Sequence, residues 1–244
     1  MFAINIVIIL LLIIICLFVT YDNTPILFES YSDKINTDPN IINKIRQILK
    51  DTHDILSSNG IVYWIDGGTL LGAIRHSDVI PWDDDGDICI LKNNEAKFKS
   101  LKNMFYQKGY GVSEFWGGYK IFPLNGSRIK HENKNWSWSG SGSNNNKYDY
   151  NYKYPFVDVF ICEKYDNIYH YSNNKVRNTY KKYYHEANNL FPLKEYKFNN
   201  FKLYGPNNAK SYLDRAFGKD WKTVGYKSYD HENLQFLPVT KFKI

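Results

Sequence analysis

The chain is poor in cysteine and methionine, and it has no concentrated block of charge. Its 244 residues include 3 Cys and 2 Met. Cys16, Cys89 and Cys162 lie far apart, without the close pairing of a thiolate zinc site or the density of a disulfide scaffold. Both classes are excluded, and Cys89 and Cys162, set in apolar runs, are expected to be inert buried thiols. Lys+Arg 31 against Asp+Glu 25 gives a net charge of +6. No run of about five or six like charges concentrates that excess, so no nucleic-acid surface is expected. Hydrophobic residues at 43% and aromatics at 17% exclude a disordered chain, because enough apolar surface can be buried to offset chain entropy. There is no internal repeat.

What is present begins with an apolar run at 2–19, in which Asn5 is the one strongly polar side chain. As a helix it would span about 27 Å, close to the thickness of a thin hydrocarbon layer. No Lys or Arg precedes it and no A-x-A pattern follows, so it reads as an uncleaved signal anchor rather than a cleaved peptide. The expected organisation is a transmembrane signal anchor at 1–20, a stalk at 21–37 and a catalytic domain at 38–244, with an Asn-rich surface insertion near 131–153. The domain is expected on the luminal or extracytosolic side of a membrane. There, Asn125-Gly126-Ser127 and Asn135-Trp136-Ser137 would be glycosylation acceptors.

Asp38-Pro39 predicts a helix start, followed by Ile41, Ile42, Ile45, Ile48, Leu49, Ile55 and Leu56 at helical spacing and a stop at 57–60. Strands are predicted at 61–66, 85–91, 110–115, 119–124 and 156–162, and helices at 69–75, 94–108 and 207–217. Asn199-Asn200 predicts a hairpin of 195–198 with 201–204. Gly67-Gly68 reads as a turn, and the tyrosine-rich 148–154 run as ordinary surface. The class is α/β, as a mixed α+β arrangement.

Asp83, Asp84, Asp85 and Asp87 fall within five positions beside an apolar strand, where they would repel one another without a cation. An extended chain puts Asp85 and Asp87 on one face, about 7 Å apart, with Asp84 facing away. Oxygen ligands without His or Cys select Mg²⁺ or Mn²⁺ over zinc. Gly67 and Gly68 leave no side chain between backbone and a bound group, and a helix opening at Thr69 would aim amides at a phosphate. Arg75 suits either the helix C-terminus or a diphosphate, Lys120 is a candidate phosphate contact, and Trp82 is expected to buttress the acidic loop. His76 reads as a packing residue.

The runs Gly68-Thr69-Leu70-Leu71-Gly72-Ala73-Ile74-Arg75-His76 and Pro81-Trp82-Asp83-Asp84-Asp85-Gly86-Asp87 resemble the signature of the LicD/fukutin family of the nucleotidyltransferase superfamily. The resemblance covers roughly 40–222 and implies a nucleotidyltransferase-like mixed sheet flanked by helices, with a Gly-Gly turn, an acidic pair and a third acid on a neighbouring strand. The 154–160 run is similar to the third-acid strand, which makes Asp158 that candidate. Gly86 and Ala216-Phe217-Gly218 depart from the usual pattern without removing a candidate ligand. The resemblance implies a metal-dependent transferase that moves phosphocholine or a polyol phosphate from a CDP-linked donor to a glycan or glycoprotein hydroxyl. Asp85, Asp87 and Asp158 would then hold Mg²⁺ or Mn²⁺, and Gly67, Gly68, Thr69, Arg75 and Lys120 would contact the donor. The alternatives are a nucleotidyltransferase, a D-x-D glycosyltransferase using a nucleotide sugar, and a non-catalytic glycan-binding or scaffolding homologue.

Overall fold

A computed structural model of the protein describes residues 35–129 and 152–244. The apolar run at 2–19, most of the stalk and nearly all of the Asn-rich insertion lie outside the described residues. Among the described residues no helix is long and apolar enough to cross a membrane. The chain is tied to the domain from its first described residues, since the Thr37 amide donates to the Pro81 carbonyl at 2.8 Å and Lys227 Nζ to the Ile35 carbonyl at 3.0 Å.

Helix α1 (Pro39–Ser58) starts where Asp38-Pro39 predicts. The Asp38 side chain accepts from the Asn40 amide, and proline in the first turn sacrifices no helical hydrogen bond. Its stripe of Ile42, Ile45, Ile48, Leu49, Ile55 and Leu56 is buried. The chain then forms β1 (Tyr63–Ile65), α2 (Gly67–Arg75), β2 (Gly86–Leu91), the short helices α3 (Glu95–Ser100) and α4 (Lys102–Gln107), β3 (Tyr110–Phe115) and β4 (Gly118–Pro123). The helix predicted at 94–108 is therefore broken at Leu101, which ends α3 and opens α4. Gly67 and Gly68 are the first residues of α2 rather than a turn before it.

After β5 (Ser127–Arg128) the described chain resumes with β6 (Lys153–Tyr154) and β7 (Val157–Tyr165), followed by β8 (Ile168–Tyr171), α5 (Asn174–Thr179), β9 (His185–Glu186) and α6 (Ala187–Leu190). The predicted hairpin is β10 (Lys194–Phe198) with β11 (Phe201–Gly205), turning at Asn199 with φ 53°. Helix α7 (Lys210–Ala216) and a hairpin of β12 (Val224–Asp230) with β13 (Gln235–Lys243) complete the chain.

Seven strands form one mixed sheet in the order β1-β2-β7-β4-β3, with β8 and β9 continuing from β7. β2 and β7 are parallel and the other pairs antiparallel. The period of two sorts the side chains. Ile88, Ile90, Val157, Val159, Ile161, Tyr119 and Ile121 pack in one cluster with the α1 stripe and with Phe98 and Phe105 of the short helices. The opposite face carries a smaller cluster of Trp64, Cys89, Phe160, Cys162 and Tyr171, leaving the ends of β2, β7 and β4 open beside it. Cys89 and Cys162 are buried and free, as expected. Tyr152 and Tyr154 are not surface residues: with Phe122 and Phe156 they form a third buried cluster under β4.

The C-terminal hairpin lies beyond the stretch that carries the family resemblance, yet it is built into the core. Phe242 is fully buried against Trp82, with ring centroids 4.7 Å apart, and Trp82 Nε1 donates to the Tyr226 carbonyl at 3.1 Å. Trp82 thus buttresses the acidic loop by joining it to this hairpin. Replacing Phe242 by Ala should cost about 3–5 kcal/mol in urea unfolding, whereas Phe236→Ala, at the exposed end of the same strand where the ring packs edge-on against Tyr229, should cost less than about 1.5 kcal/mol. Equal effects of the two changes would show that the hairpin is not packed in this way.

Candidate active site

Strand register assembles the centre of the site. Asp87 on β2 pairs across the parallel ladder with Asp158 on β7, which pairs on its other side with Lys120 on β4. The three side chains form a row across the sheet. Asp85 enters from the residue before β2, two positions from Asp87, so ligand oxygens of Asp85, Asp87 and Asp158 lie within 4.8 Å of one another. Asp85 and Asp158 are buried and Asp87 is half-buried.

Crowding sets the electrostatics. Loss of water is the largest effect on each carboxylic acid, and neighbouring carboxylates add to it. Asp85 is pushed up to about 6, with Asp158 and Asp84 raising it against the pull of His231. Asp83 is pushed up to about 8 by burial and by Asp85 and Asp84. Asp87 rises well above the usual carboxylate range, through burial and then repulsion from Asp85, Asp158 and Asp83. Asp158 is also raised by burial, although Lys120 opposes the shift from 2.6 Å. A site that raises four carboxylic acids together favours a bound cation, and the all-oxygen set of Asp85, Asp87 and Asp158 suits a hard divalent ion.

The glycine pair makes this crowding possible. At Gly67, with φ 49°, a Cβ would stand 2.5 Å from Asp87 Oδ2, and at Gly68 it would stand 2.5 Å from Asp83 Oδ2. The helix opens at Gly67, two residues before the expected Thr69, and its first two amides are already paired. Gly67 donates to the Tyr212 hydroxyl and Gly68 to Asp87 Oδ2, both at 3.1 Å. Thr69 is buried rather than set in the cavity wall, and its hydroxyl accepts from the Asp87 amide at 2.7 Å, which fixes the start of β2.

The remaining expected contacts divide in the same way. Arg75 lines the cavity, but its Nη1 donates to the Trp221 and Val224 carbonyls at 2.7 and 3.2 Å, and its guanidinium lies over the Trp82 ring. Its main role in the fold is to tie α2 to the C-terminal segment. His76 packs edge-on against Trp82, as a packing residue should. Lys120 pairs with Asp158, its Nζ donating to Asp158 Oδ1 at 2.6 Å. Asp84 accepts from His231 beyond the C-terminal β12, but it does not face away from the site: the strand begins only at Gly86, and Asp84 lines the same cavity with its carboxylate within 4.8 Å of Asp85 and His231.

Two groups at or below the site were not singled out from the sequence. His231, just past β12, donates its backbone amide to Asp84 Oδ2 at 3.0 Å and places Nδ1 2.6 Å from Asp84 Oδ1 and Nε2 3.2 Å from Asp85 Oδ2. Burial alone would lower its pKa, but Asp85 and Asp84 raise it to about 10. Below the glycines, Asp66 is fully buried. Its carboxylate meets His185 Nε2 at 2.8 Å and accepts from Tyr171 and Cys89 at 3.0 and 3.4 Å. Burial pushes Asp66 upward, yet the His185 hydrogen bond and charge win and hold it below the ordinary value. The Tyr212 ring, whose hydroxyl accepts from Gly67, stacks on His185 at 4.1 Å.

A cavity of about 540 Å³ opens over this arrangement, with Gly67, Gly68, the acidic loop and Asp158 on one side and Arg75, Trp221 and the β12 hairpin on the other. The family profile described as LicD/FKTN/FKRP, nucleotidyltransferase domain, matches residues 60–208. The chain belongs to this family. Among its relatives, the uncharacterized protein RP689 of Rickettsia prowazekii (strain Madrid E) is 34% identical over 192 residues, covering 78% of this chain and 60% of that protein. Ribitol 5-phosphate transferase FKRP of Homo sapiens is 36% identical over 66 residues, covering 27% of this chain and 13% of that protein. Lipopolysaccharide cholinephosphotransferase LicD of Haemophilus influenzae is 43% identical over 51 residues, covering 21% and 19%. The chain therefore spans 60% of RP689 and much smaller shares of the two named transferases. His231 lies outside the 60–208 match.

The shifted groups give the site a pH signature. An unfolded Asp ionises near 3.8, whereas folded Asp83 keeps its proton up to about 8. Unfolded His loses its proton near 6.5, whereas folded His231 keeps it up to about 10. Between pH 6.5 and 8 the folded chain holds more protons than the unfolded one, so stability falls as pH rises. His53, His76 and His170, all held below the ordinary value by burial, act the other way where their unfolded forms still carry part of a proton near pH 6.5, but Asp83, Asp87 and His231 together outweigh them. The melting temperature in EDTA should be lower at pH 8 than at pH 6.5, and Asp83→Asn should flatten the difference. A higher melting temperature at pH 8 in the unmodified chain would contradict this charge arrangement.

Proposed function

We propose that this protein is a membrane-anchored, metal-dependent phosphotransferase that moves a phospho-linked small group, phosphocholine or a polyol phosphate, from a CDP-linked donor to a hydroxyl of a glycan or glycoprotein. The observation that carries this reading is the convergence of Asp85, Asp87 and Asp158 beside Gly67-Gly68, in a family whose members include a ribitol 5-phosphate transferase and a cholinephosphotransferase. Asp85, Asp87 and Asp158 would hold Mg²⁺ or Mn²⁺, which when bound offsets the charge that builds on the phosphoryl oxygens and on the departing nucleotide. The large cavity receives the nucleotide diphosphate, with Gly67 and Gly68 permitting close approach to the backbone.

The acceptor oxygen then attacks the distal phosphorus of the donor. The bond from that phosphorus to the bridging oxygen breaks, its electron pair leaves with CMP, and the hydroxyl proton passes to the Asp158 carboxylate. Lys120 holds Asp158 in place for that transfer, as His231 does for Asp85. Arg75 closes the nucleotide end by fixing Trp221 against α2.

Anchoring rests on the apolar run at 2–19, which leads through a short polar segment to Ile35. Asn125 sits on an exposed turn, so a luminal domain would present it for glycosylation. Expression in a eukaryotic host should give a glycosidase-sensitive band. No mobility shift, together with protease sensitivity from the cytosolic side, would reverse the orientation.

The chemistry is tested by ³¹P NMR of the chain with Mg²⁺, candidate glycans and either CDP-choline, CDP-ribitol or CTP. The expected outcome is CMP from a CDP-linked donor, lost by at least about 100-fold in Asp87→Asn while the thermal melt persists. Pyrophosphate from CTP without CMP from either donor would replace phosphodiester transfer with nucleotidyl transfer.

A further inference from the structure

A second cavity, of about 310 Å³, meets the first along Asp158, Phe160, Tyr180, Ser228, Tyr229 and His231. The sheet order places it. Asp158 stands on β7, with Asp87 and β2 on one side and Lys120 and β4 on the other. The nucleotide cavity opens on the β2 side, with Gly67 and Gly68, whereas the second cavity opens on the β4 side and is lined by Lys120. Its walls are largely aromatic and include Phe115, Trp116, Phe156 and Tyr229. Trp116 and Tyr180, both in its wall, stack on one another with centroids 6.2 Å apart and planes at 17° and present one aromatic surface.

We propose that this aromatic cavity is the acceptor subsite and seats the uncharged ring of a pyranose, presenting a ring hydroxyl to the acidic centre. The proposal rests on the phosphotransfer reading above. In such a transfer the attacking and leaving oxygens are roughly in line across the phosphorus. With the departing nucleotide on the β2 side, the acceptor has to arrive from the β4 side, where this cavity lies.

The chemistry of the walls selects the occupant. Aromatic faces carry negative electrostatic potential and attract the weakly positive C–H face of a sugar ring, and they would also attract a quaternary ammonium group. Here the ammonium of Lys120 already lies on those faces, 3.5 Å from the Phe156 centroid and 4.6 Å from that of Phe115. A second cation in the same box would meet that charge at close range in a poorly solvated space, whereas an uncharged ring would not. Lys120 Nζ spends one donor on Asp158, and with Ser228 and His231 in the wall there are polar groups to meet ring hydroxyls. A nucleobase seated here would put the nucleotide on the attacking side, away from the glycine pair.

Saturation-transfer NMR on the full chain in deuterated detergent tests this with four probes: methyl β-D-galactopyranoside, methyl β-D-glucopyranoside, choline and CMP. At least one pyranoside should receive saturation from the unmodified chain and choline should not. The pyranoside signal should fall at least about fivefold in Trp116→Ala, whose ring lines this cavity and not the larger one. Lys120→Gln, which removes the resident cation and leaves Asp158 unpaired, should convert choline into a binder. Thermal melts show whether each variant is folded, and either variant alone decides the proposal. If CMP binds but no pyranoside does, or if choline binds the unmodified chain in a Trp116-dependent manner, the acceptor assignment falls and the donor reading stands. If CMP itself fails to bind, the phosphotransfer reading falls and takes this proposal with it.

Discussion

Like charges held close together in a poorly hydrated pocket are the constraint around which the rest of this structure is arranged. Asp85, Asp87 and Asp158 bring their oxygens within 4.8 Å, and Asp83 and Asp84 stand next to them. Such a cluster opposes folding unless its charge is offset, by protonation, by neighbouring cations or by a bound ion. The protein supplies part of the offset itself. Lys120 takes one oxygen of Asp158, and His231 takes Asp84 and reaches Asp85, but among the described residues the Asp87 carboxylate receives the Gly68 amide and no cation. The incomplete neutralisation makes a divalent ion a natural complement of the fold.

The surrounding elements hold this cluster at close quarters. Glycine at 67 and 68 lets Asp87 and Asp83 lie against the start of α2, where any Cβ would collide with them. Thr69 pins the Asp87 backbone from above. Beneath, Asp66, His185 and Tyr212 form a buried relay that ends on the Gly67 amide, so the glycine pair is supported from a layer that never reaches the cavity. Among the described residues the Asp66 carboxylate has three partners, whereas His185 Nδ1 has none, so the His185 ring is held by its contact with Asp66 and by its stack on Tyr212. The C-terminal hairpin adds the last wall, through Trp82, Phe242 and His231.

Much of this could be read in the amino-acid order because local signals dominate there. The Asp38-Pro39 helix start, the apolar stripe of α1, the Asn199-Asn200 hairpin and the D-x-D strand each depend on near neighbours in sequence, and each appears within a few residues of its expected place. Asp158 could be placed next to Asp87 through the family pattern, and strand register explains why they meet. What could not be read depends on distant partners. His231 sits 144 residues after Asp87 in an ordinary polar turn, with no motif to mark it. The helix start at Gly67 and the pairing of its first amides could not be read, because Tyr212 and Asp87 reach them only through tertiary packing. Tyr152 and Tyr154 looked like surface because their neighbours are polar, yet Phe122 and Phe156 bury them. Arg75 and Lys120 were legible as cations near the site, but their carbonyl and carboxylate partners lie on other elements.

The central claim is that Asp85, Asp87 and Asp158 together form a divalent-cation site. It is tested most directly by anomalous diffraction from crystals of the protein soaked in MnCl₂. The account predicts a manganese peak among those three carboxylates, lost in Asp87→Asn with the surrounding structure unchanged. Manganese found only at other carboxylates, or no peak at millimolar concentrations, would contradict it.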